Sequence, residues 1–433
     1  MSHPDPRPLF FRNASEVLTL SGPQVPRRGA ALSQLGIIPD GAVLTQGRKI
    51  LRVGRTSDLA AEARRRRARA IDCRGRVVMP GFVDCHTHLV FASSRVEDFE
   101  QRIRGRTYEE IAAAGGGIQY SARLLRRATE RELVEQTDTF LEQFAAHGTT
   151  TVEVKSGYGL DVANEIKMLK VVRALGRKSP VELVPTLLAA HALPAEYKGR
   201  RGAYLELVTK RLIPDVARQR LAEFVDCFCD RGAFTVEECR KVFAAGRRYG
   251  LAPRLHAEQL SYTGACRLAI ALDAASADHL DHLTQAEMRA LARSNVVATL
   301  VPGSNFHLGS RTYPPARRLI EAGAAVALAT DFNPGTSPTL NMQFILSLAC
   351  TALHMTPAEA IAAATLNAAY ALRRADRLGS LEPGKQADLA VMDVGDYREI
   401  PYYFAWNHCV MTVKRGRIIH EGRPVLKDKS EKT

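Results

Sequence analysis

Short apolar runs and longer amphipathic stretches alternate through the middle of the chain. Residues 77–88, 150–155, 181–187, 223–229, 253–256, 277–280, 296–301 and 326–331 each read as a buried strand. They are runs of apolar and β-branched residues of a strand's length, set off by glycine, proline or polar positions. Between them the apolar positions take helical spacing, over 164–175, 236–248 and 285–293. Eight strand–helix units over roughly 250 residues predict an α/β fold, a (β/α)8 TIM barrel, here placed at residues 80–374. Thr356 followed by Pro357 predicts a helix start, an N-cap and a proline at the first helical position, with the helix running back toward a small domain. The two ends of the chain have another texture. Runs such as Val17 to Leu20, Ile50 to Gly54, Gly384 to Asp393 and Val410 to Arg417 suggest short strands joined by tight turns. Residues 1–79 and 375–433 are therefore expected to pair into one small β-sandwich domain.

Composition narrows the class without changing this picture. With 433 residues the chain exceeds one ordinary core, and a hydrophobic fraction of 46% is that of a globular protein. No run approaches the roughly 18 to 20 apolar residues of a membrane helix. The segment Met1 to Arg12 is polar and proline-rich, so a cytoplasmic location is expected. Eight scattered cysteines do not form a disulfide framework. Cys227 and Cys229 read as small buried apolar residues. The formal charge of +14 could serve nucleic acid or anionic substrates. The densest basic run, Arg64 to Arg69, has no aromatic interleaving and reads as a solvated face, so neither nucleic acid nor membrane is expected as a partner.

The chemistry gathers at the ends of the expected strands, where barrel enzymes carry their sites. Strand side chains repeat every two residues, so His86 and His88 leave one face and Thr87 the other. His191 follows the third strand. His256, then Glu258 and Gln259, end the fifth. His279 ends the sixth, and Asp331, then Asn333, end the eighth. For His279 a satisfied core histidine is the competing reading. His147, His282, His307, His354 and His408 read as surface or capping residues. Three imidazoles and one carboxylate can hold Zn2+ or iron (Fe2+ or Fe3+) and leave room for water, whose pKa then falls toward neutral. Asp331 could touch both ion and water and take a proton.

Pro80 to His88 with His256, His279 and Asp331 resembles the amidohydrolase superfamily. Segments 88–95, 115–118, 152–160 and 331–336, with their K-S-G-Y-G-L and D-F-N-P-G runs, are similar to the imidazolonepropionase family within it. The likeness spans nearly the whole chain. It implies hydrolysis of 4-imidazolone-5-propanoate, a small acidic substrate, to N-formimidoyl-L-glutamate. It also implies His86, His88, His256 and Asp331 as metal ligands, and Asp331 and His279 as catalytic groups. Arg95, Tyr158, His191, Gln259, Asn333, Gly335 and Thr336 would line the substrate pocket, Arg95 suiting the propionate as a bidentate fork. Relatives with two metals carry a lysine at the end of strand four. Here Phe228, Cys229 and Asp230 stand there, implying one divalent ion per chain, and Lys155 on strand two is given no metal role. Relatives with His-x-x-Glu after strand five use that glutamate to move protons. Gln259 stands in its place and can only hydrogen-bond, while Glu258 is expected to point off the metal face. A deaminase of a nucleobase-like ring is the alternative activity, and the family suggests a homodimer.

Overall fold

In the computed structural model, which describes residues 7–423, eight central strands form one parallel sheet in chain order. They are β1 (Phe82–Asp84), β2 (Thr149–Lys155), β3 (Glu182–Ala190), β4 (Phe224–Cys229), β5 (Ala252–Ala257), β6 (Ser276–His279), β7 (Val297–Leu300) and β8 (Val326–Leu328). Residues 1–6, the start of the polar segment Met1 to Arg12, and residues 424–433 lie outside the described residues. Helices Val162–Lys178, Val236–Arg248 and Gln285–Ala292 return the chain between strands, and each starts at a side chain that accepts a backbone N–H: Asp161, Thr235 and Thr284. Thr235 and Thr284 complete capping boxes with Glu238 and Glu287.

The first expected strand divides into two. Val77–Pro80 pairs with Leu9–Leu18 and Leu389–Met392 in a second sheet, and only Phe82–Asp84 joins the barrel. Both pieces are wholly buried, so their apolar patterns fuse in the sequence. Gly81 is the joint. A Cβ there would stand 2.3 Å from Thr150 Cγ2, so the crossing is open to glycine alone. His86 and His88 lie just past β1 in an extended segment held from both sides. Lys155 N–H donates to Thr87 O at 3.0 Å, Asp331 N–H to His86 O at 3.0 Å, and His88 N–H to Phe332 O at 2.8 Å. The last two bonds close the barrel between β8 and β1, so closure and the meeting of His86, His88 and Asp331 are one event.

The second sheet is mixed and eight-stranded, built from both ends of the described chain. Its order is Arg417–Glu421, Cys409–Lys414, Leu389–Met392, Val77–Pro80, Leu9–Leu18, Ile37–Gln46, Lys49–Arg55, with Arg69–Asp72 also on Leu9–Leu18. The helix begun at Thr356 and Pro357 has its capping box with Glu359. The helical segment packs with buried alanines against β1, β7 and β8 and against Gly29–Ser33 of the N-terminal segment, and the carbonyl of Ala371 accepts from buried Arg254 at 2.9 Å. His408 differs from expectation. It is fully buried beside Tyr403 and Trp406. Arg64 to Arg67 are exposed at the end of helix Thr56–Arg65.

Glu182, at the start of β3, ties barrel to second sheet. Lys414 Nζ lies 3.1 Å from it, Arg415 Nη2 2.9 Å and Arg377 Nη2 2.6 Å. Burial would raise its carboxyl, but these three cations reverse that and hold it at about 2. A carboxylate lowered on folding adds stability that is present above its ordinary 4.5 and lost as pH falls through about 2. Glu182→Gln is expected to destabilise the protein by about 3 kcal/mol at pH 7 and to flatten the acid loss of stability between those values. Urea unfolding at neutral and acid pH reads both effects.

Candidate active site

Four polar atoms converge where the barrel closes. His86 Nε2 and His88 Nε2 each lie 3.5 Å from Asp331 Oδ1, and His256 Nε2 lies 3.3 Å from His88 Nε2. Two donors held tetrahedrally about 2.1 Å from one ion stand roughly 3.4 Å apart, so the spacing is that of a ligand set. Among the described residues the His86 Nε2 atom is buried without a hydrogen-bond partner, and so are both ring nitrogens of His279. Among the described residues two groups could hold a metal, His86, His88 and Asp331, and His86, His256 and His279. They share His86, and neither includes a cysteine. The donor chemistry therefore fits a divalent cation.

Carboxylates under the site aim the rings. His86 Nδ1 donates to Asp278 Oδ2 at 2.7 Å, and His256 Nδ1 stands 3.1 Å from Asp226 Oδ2. Each contact turns Nε2 inward as the bare nitrogen. Burial, more than any neighbouring charge, pulls the pKa values of His86, His88 and His279 well below that of an ordinary imidazole, so these rings are neutral. Burial also pushes Asp331 well above the usual carboxylate range. Asp226 and Asp278 go the other way: burial would raise them, but His256 and Lys155 hold Asp226 low, and Arg254 and Lys155 hold Asp278 low. Lys155 Nζ reaches Asp226 at 2.8 Å and Glu153 at 2.9 Å, and Arg254 Nη2 reaches Asp278 at 3.3 Å. All five of these charged side chains are fully buried in the barrel.

A cavity opens over the cluster. His88, Arg95, Tyr158, His191, His256, Gln259, His279, Asp331, Asn333 and Thr336 all line it, with Ile118, Phe228, Leu260 and Leu308 as apolar wall. His86 lies behind this wall, fully buried. Gly335 lies behind Arg95, where a Cβ would come within 1.4 Å of Arg95 Nη2. Arg95 is buried and has no ion-pair partner among the described residues. Asn333 lines the cavity, yet its amide organises the turn. Its oxygen accepts from Gly335 N–H and Thr336 N–H at 2.8 and 2.7 Å, and its NH2 donates to Asp331 O and Thr336 Oγ1. His191 Nδ1 donates to Gly157 O at 2.9 Å, which leaves Nε2 as an acceptor, and burial takes this ring's pKa to about 3. Glu258 points away from the cluster, accepting from Thr263 N–H and Cys266 N–H.

The strand-end pattern does not mark Asp226, Asp278, Glu153 or Arg254, and for Lys155 it gives only the absence of a metal role. The available signal was charge inside otherwise apolar strands, which burial makes expensive unless paired. His279, Leu280, Asp331 and Glu258 all have positive φ, between 52° and 76° for the site residues Asp331 and His279, a strain no residue pattern displays.

Residues 77–419 match the model of the amidohydrolase family. An imidazolonepropionase of Geobacillus thermodenitrificans is 45% identical over 421 residues, covering 96% of this chain and 99% of that protein. One of Brevibacillus brevis is 43% identical over 421 residues, with 96% and 99% covered. The chain belongs to the imidazolonepropionase family of amidohydrolases. Solved structures share the fold beyond that family. The guanine deaminase of E. coli superposes with a TM-score of 0.68 at 17% identity, covering 96% of this chain and 100% of that one. A Xanthomonas campestris adenosine deaminase with bound zinc gives 0.66 at 20%, covering 99% and 96%. At such identities the likeness is one of fold. Imidazolonepropionases are thus one branch of a barrel architecture, and no helix among the described residues is long and apolar enough to cross a membrane.

Proposed function

We propose that this chain hydrolyses the ring amide of 4-imidazolone-5-propanoate to N-formimidoyl-L-glutamate, a step of histidine breakdown. Membership of the imidazolonepropionase family points there, and one observation carries it. A buried arginine with no carboxylate partner among the described residues faces, across one cavity, His88, His256 and Asp331, with His86 directly behind them, the four spaced as ligands. His86, His88, His256 and Asp331 would hold one divalent ion, zinc or iron, which supplies acidification of a water and polarisation of a carbonyl. Arg95 forks onto the propionate and fixes which way the ring lies. His191 Nε2, an acceptor, suits a ring N–H. Asp331 takes the proton released as water adds to the ring carbonyl carbon. It returns a proton to the ring nitrogen as the C–N bond breaks. His279, with both nitrogens free of protein partners, steadies charge on the carbonyl oxygen.

The test is loss of the imidazolone's ultraviolet absorption on mixing with purified protein. Ammonia release from a nucleobase-like ring, without imidazolone loss, would favour the deaminase alternative. The arginine's part is checked at its neighbour. In Gly335→Ala the new methyl displaces the Arg95 guanidinium, so KM is expected to rise about 10- to 100-fold with kcat much less affected. Steady-state kinetics on the imidazolone and on a ring lacking the propionate measure it, and the second substrate should show no change.

A further inference from the structure

Glu165 stands in the first turn of helix Val162–Lys178 and is fully buried, although Asp161 already caps that helix. Its carboxylate gathers the loop before the helix instead. Oε2 accepts from Gly157 N–H at 2.9 Å, and Oε1 accepts from Gly159 N–H and Leu160 N–H, both at 2.8 Å. The Ser156 hydroxyl reaches the same carboxylate and itself accepts from Leu188 N–H at 3.0 Å. The loop has no regular structure of its own. Gly157 has φ +114° and Leu160 φ +56°, so its N–H groups turn in on one carboxylate rather than point along a ladder. A Cβ on Gly159 would stand 2.4 Å from Glu165 N, so loop and helix are in contact.

Two cavity side chains depend on this arrangement. Tyr158 sits between the two glycines whose N–H groups Glu165 holds. His191 is set by the other end of the same glycine: its Nδ1–H rests on Gly157 O, and a Cβ on Gly157 would come 2.9 Å from that nitrogen. Tyr158 then meets His191 at a tilt, ring centroids 5.5 Å apart, and His191 stacks on His88 at 5.2 Å. Burying a carboxylate is costly, and an apolar side chain could fill the volume. Only an acceptor with two oxygens can collect three N–H groups spread over four residues.

We propose that Glu165 is a positioning residue for substrate binding, holding Tyr158 through the flanking peptides and His191 through Gly157. The inference rests on the function proposed above. Glu165 touches neither substrate nor ligand cluster, so its removal changes how the ring is held before it changes the chemistry.

Glu165→Gln tests it, since one acceptor oxygen becomes an NH2 facing an N–H. The expected result is unchanged metal content, KM raised about tenfold and kcat within about threefold. In a Tyr158→Ala, His191→Ala background the same substitution should leave KM unaltered, because the side chains it positions are gone. A merely structural role would lower thermal stability and metal content and shift KM by the same factor in both backgrounds. That outcome, or an unchanged KM in the single variant, overturns the proposal. Should Glu165→Gln fail to fold, Glu165→Asp keeps both oxygens one methylene shorter and enters the same cycle with the same criteria. No turnover of the imidazolone by the parent protein refutes the proposed function and this inference with it. Turnover by the parent with no KM effect refutes this inference alone.

Discussion

The Asp331→Asn variant is expected to fold normally and to lose about a thousandfold in kcat. Its fold should survive because burial pushes the Asp331 carboxyl well above the usual range, so the folded protein gains little from a charge there. Asparagine has nearly the same shape and carries no charge. The backbone bonds that close the barrel, Asp331 N–H to His86 O and His88 N–H to Phe332 O, need no side chain. Activity should not survive. An amide cannot take a proton from water, and neither can Gln259, which lines the same cavity. Glu258 gives no substitute, since its carboxylate is engaged by Thr263 and Cys266. Metal content separates the two roles of Asp331. Ion retained with kcat lost marks proton transfer, and near-normal kcat would refute the assignment.

Lys155→Met is expected to be the most damaging change away from the cavity surface. Lys155 Nζ lies 2.8 Å from Asp226 and 2.9 Å from Glu153, all three fully buried. Burial would lower the pKa of its ammonium group, but Asp226 and Glu153 together hold it above the ordinary value. Methionine fills the volume and leaves the carboxylates facing each other in a dry interior. Breaking a buried ion pair on one side costs about 3–5 kcal/mol. The effect should reach the site as well. With its cation gone, Asp226 no longer holds His256 Nδ1 in place, and metal affinity should fall about 10- to 100-fold. Denaturant unfolding measures the first loss and competition with a chelator the second. Wild-type metal affinity in a folded Lys155→Met protein would detach this network from the site.

The barrel was legible because parallel strands buried on both faces leave uninterrupted apolar runs, and helices between them leave a different period. The same physics hid the division at Gly81. Val77–Pro80 and Phe82–Asp84 are equally buried, so nothing in their polarity separates two sheets. Of the site, the strand-end residues were visible because polar side chains stand out after apolar runs: His86, His88, His256, His279 and Asp331. The groups beneath them were not. Asp278 reads as the neighbour of His279, and its contact with His86 joins residues 192 positions apart. Glu165 was hidden for a related reason, since an acidic residue in a helix's first turn looks like ordinary dipole chemistry. Asn333 shows the opposite limit: sequence placed it at the cavity, and geometry gives its amide to the loop.

Elemental analysis of the purified protein, paired with imidazolone turnover before and after chelation, tests the central claim most directly. One divalent ion per chain, activity lost on its removal and regained on return of zinc or iron, is the predicted result. Full turnover by metal-free protein would contradict it.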